Sequence, residues 1–192
     1  MSCLCVSMRV MTTPQHDLAA TSTAVFLDID GTLNTRVCEP GSTLMRRSSG
    51  ATISVVDTGE SYEYAIHAVR ETVDWLNALH ANGVQLIWST TWNDQAEDYA
   101  EWFGLPAGLP FVRQDNANRV SFGHSMKVPP VLAYLDAHPE ITKAVLLEDL
   151  IGWLDQDLDA VTAGRLLIPE LDEELGVTAN VRAQVDEFLG LT

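Results

Sequence analysis

The chain has 192 residues, 46% of them apolar, and its 27 acidic and 11 basic side chains give a net charge of -16. This length and composition are typical of one globular domain with a full hydrophobic core. The negative charge repels phosphate backbones and anionic lipids, which argues against a membrane-surface role and against an extended nucleic-acid surface. A local metal ion and a few basic groups would still permit an anionic substrate at one site.

Neither the N-terminus nor the spacing of the cysteines is typical of an exported protein. Cys3, Cys5 and Cys38 have neither disulfide-framework nor zinc-site spacing, which predicts a cytoplasmic protein. Residues 1–22 lack the features of a signal peptide and are expected to be a disordered lead or to precede the true start. No stretch reaches the roughly 20 apolar residues of a membrane span. We therefore predict one globular domain over residues 23–192.

The first predicted element is a buried strand over residues 24–27, an apolar run that ends at acidic residues and a glycine. The runs 52–56 and 62–66 are rich in strand-forming residues and flank a short segment containing a glycine, which predicts a small β-hairpin flap. From Val69 onwards, apolar residues recur at helical spacing as far as Gly83. This pattern predicts an amphipathic helix.

Strands and helices alternate through the rest of the chain. The predicted strands are 84–88, 144–147 and 166–168, and the predicted helices are 93–103, a segment that begins just after Lys127, and 179–189 with Thr178 as its cap. Pro129 and Pro130 are compatible with the first turn of the helix after Lys127. The alternation predicts an α/β, doubly wound (Rossmann-like) parallel sheet of about five strands flanked by helices.

Polar side chains follow three of the predicted strands. They are Asp28 and Asp30 after the first, Ser89 and Thr90 after the second, and Glu148 and Asp149 after the third. Open α/β sheets bind ligands outside the carboxyl ends of their strands, where loops and helix N-termini converge. We therefore expect these groups to meet at one edge of the sheet, with Lys127 near them.

The order and content of these clusters resemble the haloacid dehalogenase (HAD) superfamily over roughly residues 24 to 155. The most specific element is the run Asp28-Ile29-Asp30-Gly31-Thr32 after an apolar strand. The second, third and fourth motifs are matched by Thr90 or Ser89, by Lys127, and by Glu148-Asp149. The segment between Leu33 and Trp88 is too short for a large cap domain, so the chain resembles capless members of the superfamily. The strings 88–92 and 126–129 are similar to small bacterial members, some of them associated with RNA repair.

The resemblance implies a Mg²⁺-dependent phosphohydrolase. In such a site Asp28 would be the nucleophile and form an aspartyl-phosphate, and Asp30 would be the general acid and base. Mg²⁺ would be held by Asp28, the backbone carbonyl of Asp30, and Asp149. Lys127 and the hydroxyl of Thr90, with Ser89 as the alternative, would hold the phosphate.

Several details depart from the family pattern or remain open. Glu148 stands where Asp or Gly is commoner, and a further acid of the fourth motif is either Asp155 or absent. Trp92 is interpreted as a core residue, with stacking on a nucleobase as the alternative. The expected substrate is a nucleotide or a nucleic-acid end, and the oligomeric state is not predicted.

Two other functions fit the same motifs. The first is phosphoryl transfer to an acceptor other than water, and the second is a non-catalytic binding protein in which Glu148 marks a decayed metal site. Dehalogenation is disfavoured, because dehalogenases of the superfamily need no metal and generally lack an equivalent of Asp30.

Overall fold

The computed structural model describes residues 23–47, 51–54, 61–114 and 120–191, so the predicted lead over 1–22 lies outside the described residues. In chain order the strands are β1 (Thr23–Leu27), β2 (Leu44–Arg46), β3 (Ala51–Ser54), β4 (Ser61–Tyr64), β5 (His67–Val69), β6 (Gln85–Trp88), β7 (Val120–Ser121), β8 (His124–Ser125), β9 (Lys143–Leu147) and β10 (Leu166–Leu167). The α-helices are α1 (Arg70–Ala81), α2 (Ala96–Phe103), α3 (Val128–Ala137), α4 (Asp159–Thr162) and α5 (Ala179–Leu189).

Four parallel strands form the central sheet, in the order β10, β9, β1, β6. The predicted α/β parallel sheet is confirmed, with four strands in the described residues rather than about five. At the edge beside β6, Phe111 makes one parallel bridge with Trp88. Pro110 precedes this bridge and has no N–H for a longer ladder, so the pairing stays too short to form a fifth strand.

Helices cover both faces of the sheet. Val25 and Leu27 of β1 pack in one cluster with buried residues of α1, α2 and α5. Ala24 and Phe26 pack in a second cluster with buried residues of α3. Because successive side chains of a strand point to opposite faces, Asp28 continues the series of Ala24 and Phe26. The strand therefore presents Asp28 on the side of the sheet that α3 covers.

An antiparallel flap lies between β1 and α1 in the chain. β3 pairs with β4, as the predicted hairpin requires, and the connecting residues 55–60 lie outside the described residues. A second antiparallel pair, β2 with β5, is not predicted by the sequence. Each of its strands has three residues, too few to show the alternation that identifies a strand in a sequence.

The helix boundaries follow the sequence signals closely. α3 begins directly after Lys127 with proline in its first turn, and the hydroxyl of Thr178 caps α5 by accepting the N–H of Val181 at 3.3 Å. The helix predicted over 93–103 begins as a 3₁₀ turn and ends at left-handed Gly104. The four-residue α4 is an addition to the predicted elements. In the described part of the chain, no helix is both long enough and apolar enough to cross a lipid bilayer.

Candidate active site

The central strands end together and place polar side chains side by side. β1 pairs in register with β6 and β9, so the residues that follow these strands lie at one level of the sheet: Asp28, Ser89 and Glu148. The backbone pairing continues past the strands, because the N–H of Asp28 donates to Leu147 O at 3.1 Å and the N–H of Ser89 donates to Leu27 O at 2.8 Å. The structure thus brings together the groups that follow these three strands.

Lys127, at the start of α3, forms ion pairs with two carboxylates. Its Nζ lies 2.8 Å from Asp28 Oδ1 and 2.7 Å from Glu148 Oε2. All three side chains are buried, with Asp28 only 2% exposed and Glu148 fully buried. Burial penalises an unpaired charge strongly. One lysine between two carboxylates therefore leaves a negative charge that the ion pairs do not balance.

The excess of carboxylates changes the acidity of the site. Burial raises the pKa of Asp28 to about 6, although Lys127 opposes the rise. Burial and the charge of Asp28 raise the pKa of Glu148 to about 8. Burial by itself lowers the pKa of Lys127, but the charges of Asp28 and Glu148 outweigh it and hold that pKa above its ordinary value. The site therefore favours an additional positive charge or a bound proton.

Asp149 completes a cluster of three carboxylates. Asp28, Glu148 and Asp149 each offer an oxygen, and these atoms all lie within 4.8 Å of one another. Asp28 Oδ2 is buried and has no hydrogen-bond partner among the residues that the structure describes. Gly31 packs against Asp149, since a β-carbon on Gly31 would lie 2.3 Å from Asp149 Oδ2. Clustered carboxylates, of which Asp28 has an oxygen without a partner in the described residues, are suited to a hard cation such as Mg²⁺.

Asp30 has partners different from those of Asp28. Its Oδ1 accepts a hydrogen bond from Asn34 Nδ2 at 3.1 Å, and its Oδ2 accepts one from Trp92 Nε1 at 2.8 Å. The Asp30 carboxylate lies outside the three-carboxylate cluster, so its backbone carbonyl remains the predicted metal ligand. Trp92 is only 2% exposed, which agrees with its interpretation as a core residue and leaves no open ring face for a nucleobase.

Ser89 and Thr90, the two candidates for the second motif, are both buried. Ser89 Oγ accepts a hydrogen bond from Gln114 Nε2 at 2.9 Å. The hydroxyl of Thr90 has only a long contact, 3.4 Å from the backbone nitrogen of Trp92. In both contacts the hydroxyl oxygen is the acceptor, so neither uses the O–H that would donate to a phosphate oxygen, and Thr90 stays the first candidate with Ser89 as the alternative. Both roles remain predictions.

A known family shares these motifs. Residues 24–179 match the family described as the HAD domain in Swiss Army Knife RNA repair proteins. The chain belongs to this family. No curated protein and no solved structure matches the chain significantly. The resemblance to the HAD superfamily and to its RNA-repair-associated members is confirmed, and activity of the phosphohydrolase type is what an HAD domain suggests.

In this HAD domain, Asp155 supports two loops of the site and lies outside the carboxylate cluster. Its Oδ2 accepts hydrogen bonds from Ser125 N at 2.9 Å and from Gly152 N at 2.6 Å, and its Oδ1 lies 2.9 Å from His124 Nδ1. Asp155 is fully buried. It joins the segment before α3 to the segment after β9, so it holds the positions of the predicted phosphate ligand and of the predicted metal ligands.

A cavity of about 900 Å³ opens beside Asp30 in the HAD domain. Arg36, from the loop after β1, lies on its wall together with Glu173 and Glu174 from the segment before α5. Both glutamates are exposed. Their position on the cavity wall is not predicted by the sequence, because nothing in the sequence relates the acidic run 172–174 to the motif around Asp30.

Proposed function

We propose that this chain is a Mg²⁺-dependent phosphomonoesterase that acts through an aspartyl-phosphate on Asp28, with a nucleotide or a nucleic-acid end as substrate. The observation that carries the proposal is the buried cluster in which Lys127 pairs with Asp28 and Glu148 while Asp28 Oδ2 has no partner in the described part of the chain. A carboxylate held in place on one oxygen and free on the other has the arrangement that a nucleophile requires.

The proposed reaction has two steps at one phosphorus atom. An oxygen of Asp28 attacks phosphorus, the ester P–O bond breaks, and Asp30 gives a proton to the leaving oxygen. Asp30 then takes a proton from a water that attacks the same phosphorus, and the acyl-phosphate P–O bond breaks. The products are an alcohol and inorganic phosphate, and Asp28 and Asp30 return to their initial states. Lys127 and Thr90 would hold the phosphate oxygens throughout.

The residues present fit a resident Mg²⁺. Asp28, Asp149 and Glu148 offer clustered carboxylate oxygens, and the backbone carbonyl of Asp30 is the further predicted ligand. When bound, Mg²⁺ would offset the repulsion between the phosphate and the carboxylates. Glu148 is therefore proposed as part of a working site, and the interpretation as a decayed site is not favoured.

The Gly31→Ala variant tests whether the position of Asp149 matters for the cation. Gly31 has φ +74°, so alanine costs about 1–2 kcal/mol in the left-handed region, and its β-carbon also displaces the Asp149 carboxylate. We expect about 10–100-fold weaker Mg²⁺ binding, measured as the Mg²⁺ concentration that gives half of the thermal stabilisation. Gly83→Ala is the matched control, because φ is +86° there and its β-carbon meets nothing within 4 Å. Equal Mg²⁺ affinity in both variants would contradict the assignment of Asp149.

The substrate proposal combines the cavity with the family. The cavity borders Asp30, so it is where a leaving group would lie, and Arg36 on its wall is suited to a further phosphate. Glu173 and Glu174, together with the net charge of -16, disfavour a long polyanion. The family description names RNA repair proteins, which supports a nucleic-acid end over a sugar phosphate or a phosphopeptide. A cytoplasmic location stays a prediction from the cysteines.

Phosphate release by the purified chain tests the proposal. We expect release from 4-nitrophenyl phosphate with Mg²⁺, and loss of this activity in EDTA that returns when excess Mg²⁺ is added. A panel of nucleotides, sugar phosphates, phosphopeptides, and oligonucleotides phosphorylated at the 3′ or 5′ end then ranks the substrates by kcat/KM. Activity that is unchanged in EDTA, or no release from any member of the panel, would refute the proposal. Product analysis with added alcohols would reveal phosphoryl transfer to acceptors other than water.

A further inference from the structure

The hydrogen bonds around Asp30, together with one contact between aromatic rings, form a closed network. Trp92 and Asn34 each donate to one oxygen of its carboxylate, at 2.8 and 3.1 Å. Asn34 Oδ1 also accepts the backbone N–H of His67 at 2.9 Å, and the carbonyl of His67 accepts the hydroxyl of Tyr99 at 2.8 Å. The ring of Tyr99 lies 6.1 Å from that of Trp92, edge to face. The network thus returns to Trp92 through the flap strand β5.

This network restricts the rotation of the Asp30 side chain. Carboxylate torsions are normally broad. Here one donor on each oxygen selects one orientation, and both donors are themselves held. Trp92 is buried and contacts the rings of Tyr99 and Trp102, and Asn34 is anchored by the peptide of His67. Each oxygen keeps a lone pair that these bonds do not use, and Asp30 lines the cavity.

We propose that Trp92 and Asn34 are positioning residues that orient the Asp30 carboxylate for proton transfer to the leaving group and from water. The inference rests on the proposed function and assigns to Trp92 a role that neither core packing nor base stacking would give it. Proton transfer requires the acid within hydrogen-bond reach of the leaving oxygen, so a freely rotating Asp30 would protonate that oxygen less often. Both residues would act through Asp30; Trp92 is buried, whereas Asn34 also lines the cavity.

The Trp92→Phe variant removes the indole N–H and keeps an aromatic ring in the same space. The test compares 4-nitrophenyl phosphate with 4-methylphenyl phosphate, which have similar shapes but release phenolates of very different basicity. Nitrophenolate leaves without protonation, whereas methylphenolate needs a proton. We expect kcat/KM, which reports the step in which the phenolate leaves, to fall about 10- to 100-fold for the methylphenyl ester and to change little for the nitrophenyl ester. Inhibition by inorganic phosphate should be unchanged, since its ligands are elsewhere.

Trp75→Phe is the matched control. It also deletes an indole-to-carboxylate hydrogen bond, from Trp75 Nε1 to Asp186 Oδ1 at 2.9 Å, but this bond joins α1 to α5 away from Asp30. We expect wild-type activity towards both esters. Asn34→Ala provides a second test of the network if Trp92→Phe fails to fold, and we expect the same dependence on the leaving group.

The outcomes separate this inference from the proposed function. Release of phosphate by the wild type, with equal losses of kcat/KM for the two esters in Trp92→Phe and Asn34→Ala, would refute the positioning role and leave the phosphatase assignment standing. The same holds if neither variant loses activity. A wild type without activity towards either ester would overturn both. A loss of kcat/KM confined to the methylphenyl ester in the variants, and absent from Trp75→Phe, supports the inference.

Discussion

The Asp28→Asn variant is expected to release no measurable phosphate, with a loss in kcat of at least about 10³-fold and an intact fold. The amide has the size of the carboxylate and still fits beside Lys127, but it is a poor nucleophile. The metal-free variant should also be more stable than the wild type at pH 8. The raised pKa of Asp28, about 6, means that its charged form is disfavoured in the folded protein, and at pH 8 the wild type carries that charge.

Two measurements make this result specific. Asp136→Asn changes an exposed aspartate on α3 to the same amide, and we expect it to keep full activity. Acid quenching of the wild type during turnover, followed by peptide mass spectrometry, should find one phosphoryl group on the peptide that contains Asp28. Activity retained by Asp28→Asn would refute the nucleophile. A phosphoryl group on any other residue would do so as well.

The position of Asp28 can be predicted from sequence for a simple physical reason. A strand buried on both faces is a continuous apolar run, so its end is marked where acids begin. The same reasoning finds Glu148 and Asp149 after β9, and Pro129 and Pro130 locate the start of α3 beside Lys127. In-register pairing of β1 with β9 then brings the two acidic strand ends together. The catalytic candidates were predictable because each lies where a regular element begins or ends.

The supporting contacts are not predictable in this way. Asn34 and Gln114 lie in loops, where no periodicity relates a residue to its partner, and their bonds to Asp30 and Ser89 depend on how those loops fold back. Trp92 is a large apolar residue of the kind found in protein cores, and it is buried. Its hydrophobicity does not predict that its N–H donates to Asp30. The sequence is therefore a better guide to the reacting groups than to the residues that orient them.

Glu148 shows how the structure changes the interpretation of one residue. In the sequence it is a departure from the commoner Asp or Gly. In the fold it is fully buried, forms an ion pair with Lys127 and belongs to the carboxylate cluster. Two buried carboxylates on one lysine are less stable together when both are charged. The metal-free protein therefore holds a strained charge distribution that a cation would relieve, and its stability should depend on pH and on Mg²⁺.

The Lys127→Met variant is the most direct test of how the charge of Lys127 offsets those of Asp28 and Glu148, because methionine has a similar length and no charge. In EDTA at pH 8 we expect a loss of about 3–5 kcal/mol in the free energy of unfolding, since two buried carboxylates lose their only ion-pair partner in the described structure. Activity should also fall about 10²- to 10³-fold with the loss of the phosphate ligand. Urea denaturation and phosphate release measure the two effects.

The pH dependence of the Lys127→Met loss follows from the two carboxyl groups. Their pKa values are raised from 3.8 to about 6 for Asp28 and from 4.5 to about 8 for Glu148, so the folded metal-free wild type binds more protons than the unfolded chain between about pH 4 and 8. The contribution of these two groups to its stability is therefore highest below this window and falls as the pH rises through it. Without Lys127 both pKa values rise further and the fall is steeper. The variant should approach the wild type near pH 5 and differ most at pH 8.

Lys143→Met is the natural control, because Lys127 and Lys143 are the only lysines of the chain. Lys143 bonds the carbonyl of Phe188, a neutral group, so any loss on its replacement should not vary with pH in this window. Glu148→Gln supplies the opposite test, since it leaves Lys127 paired one to one with Asp28 and should raise the stability of the metal-free protein at pH 8. A Lys127→Met loss that is the same at pH 5 and pH 8 would contradict the charge balance inferred for the site.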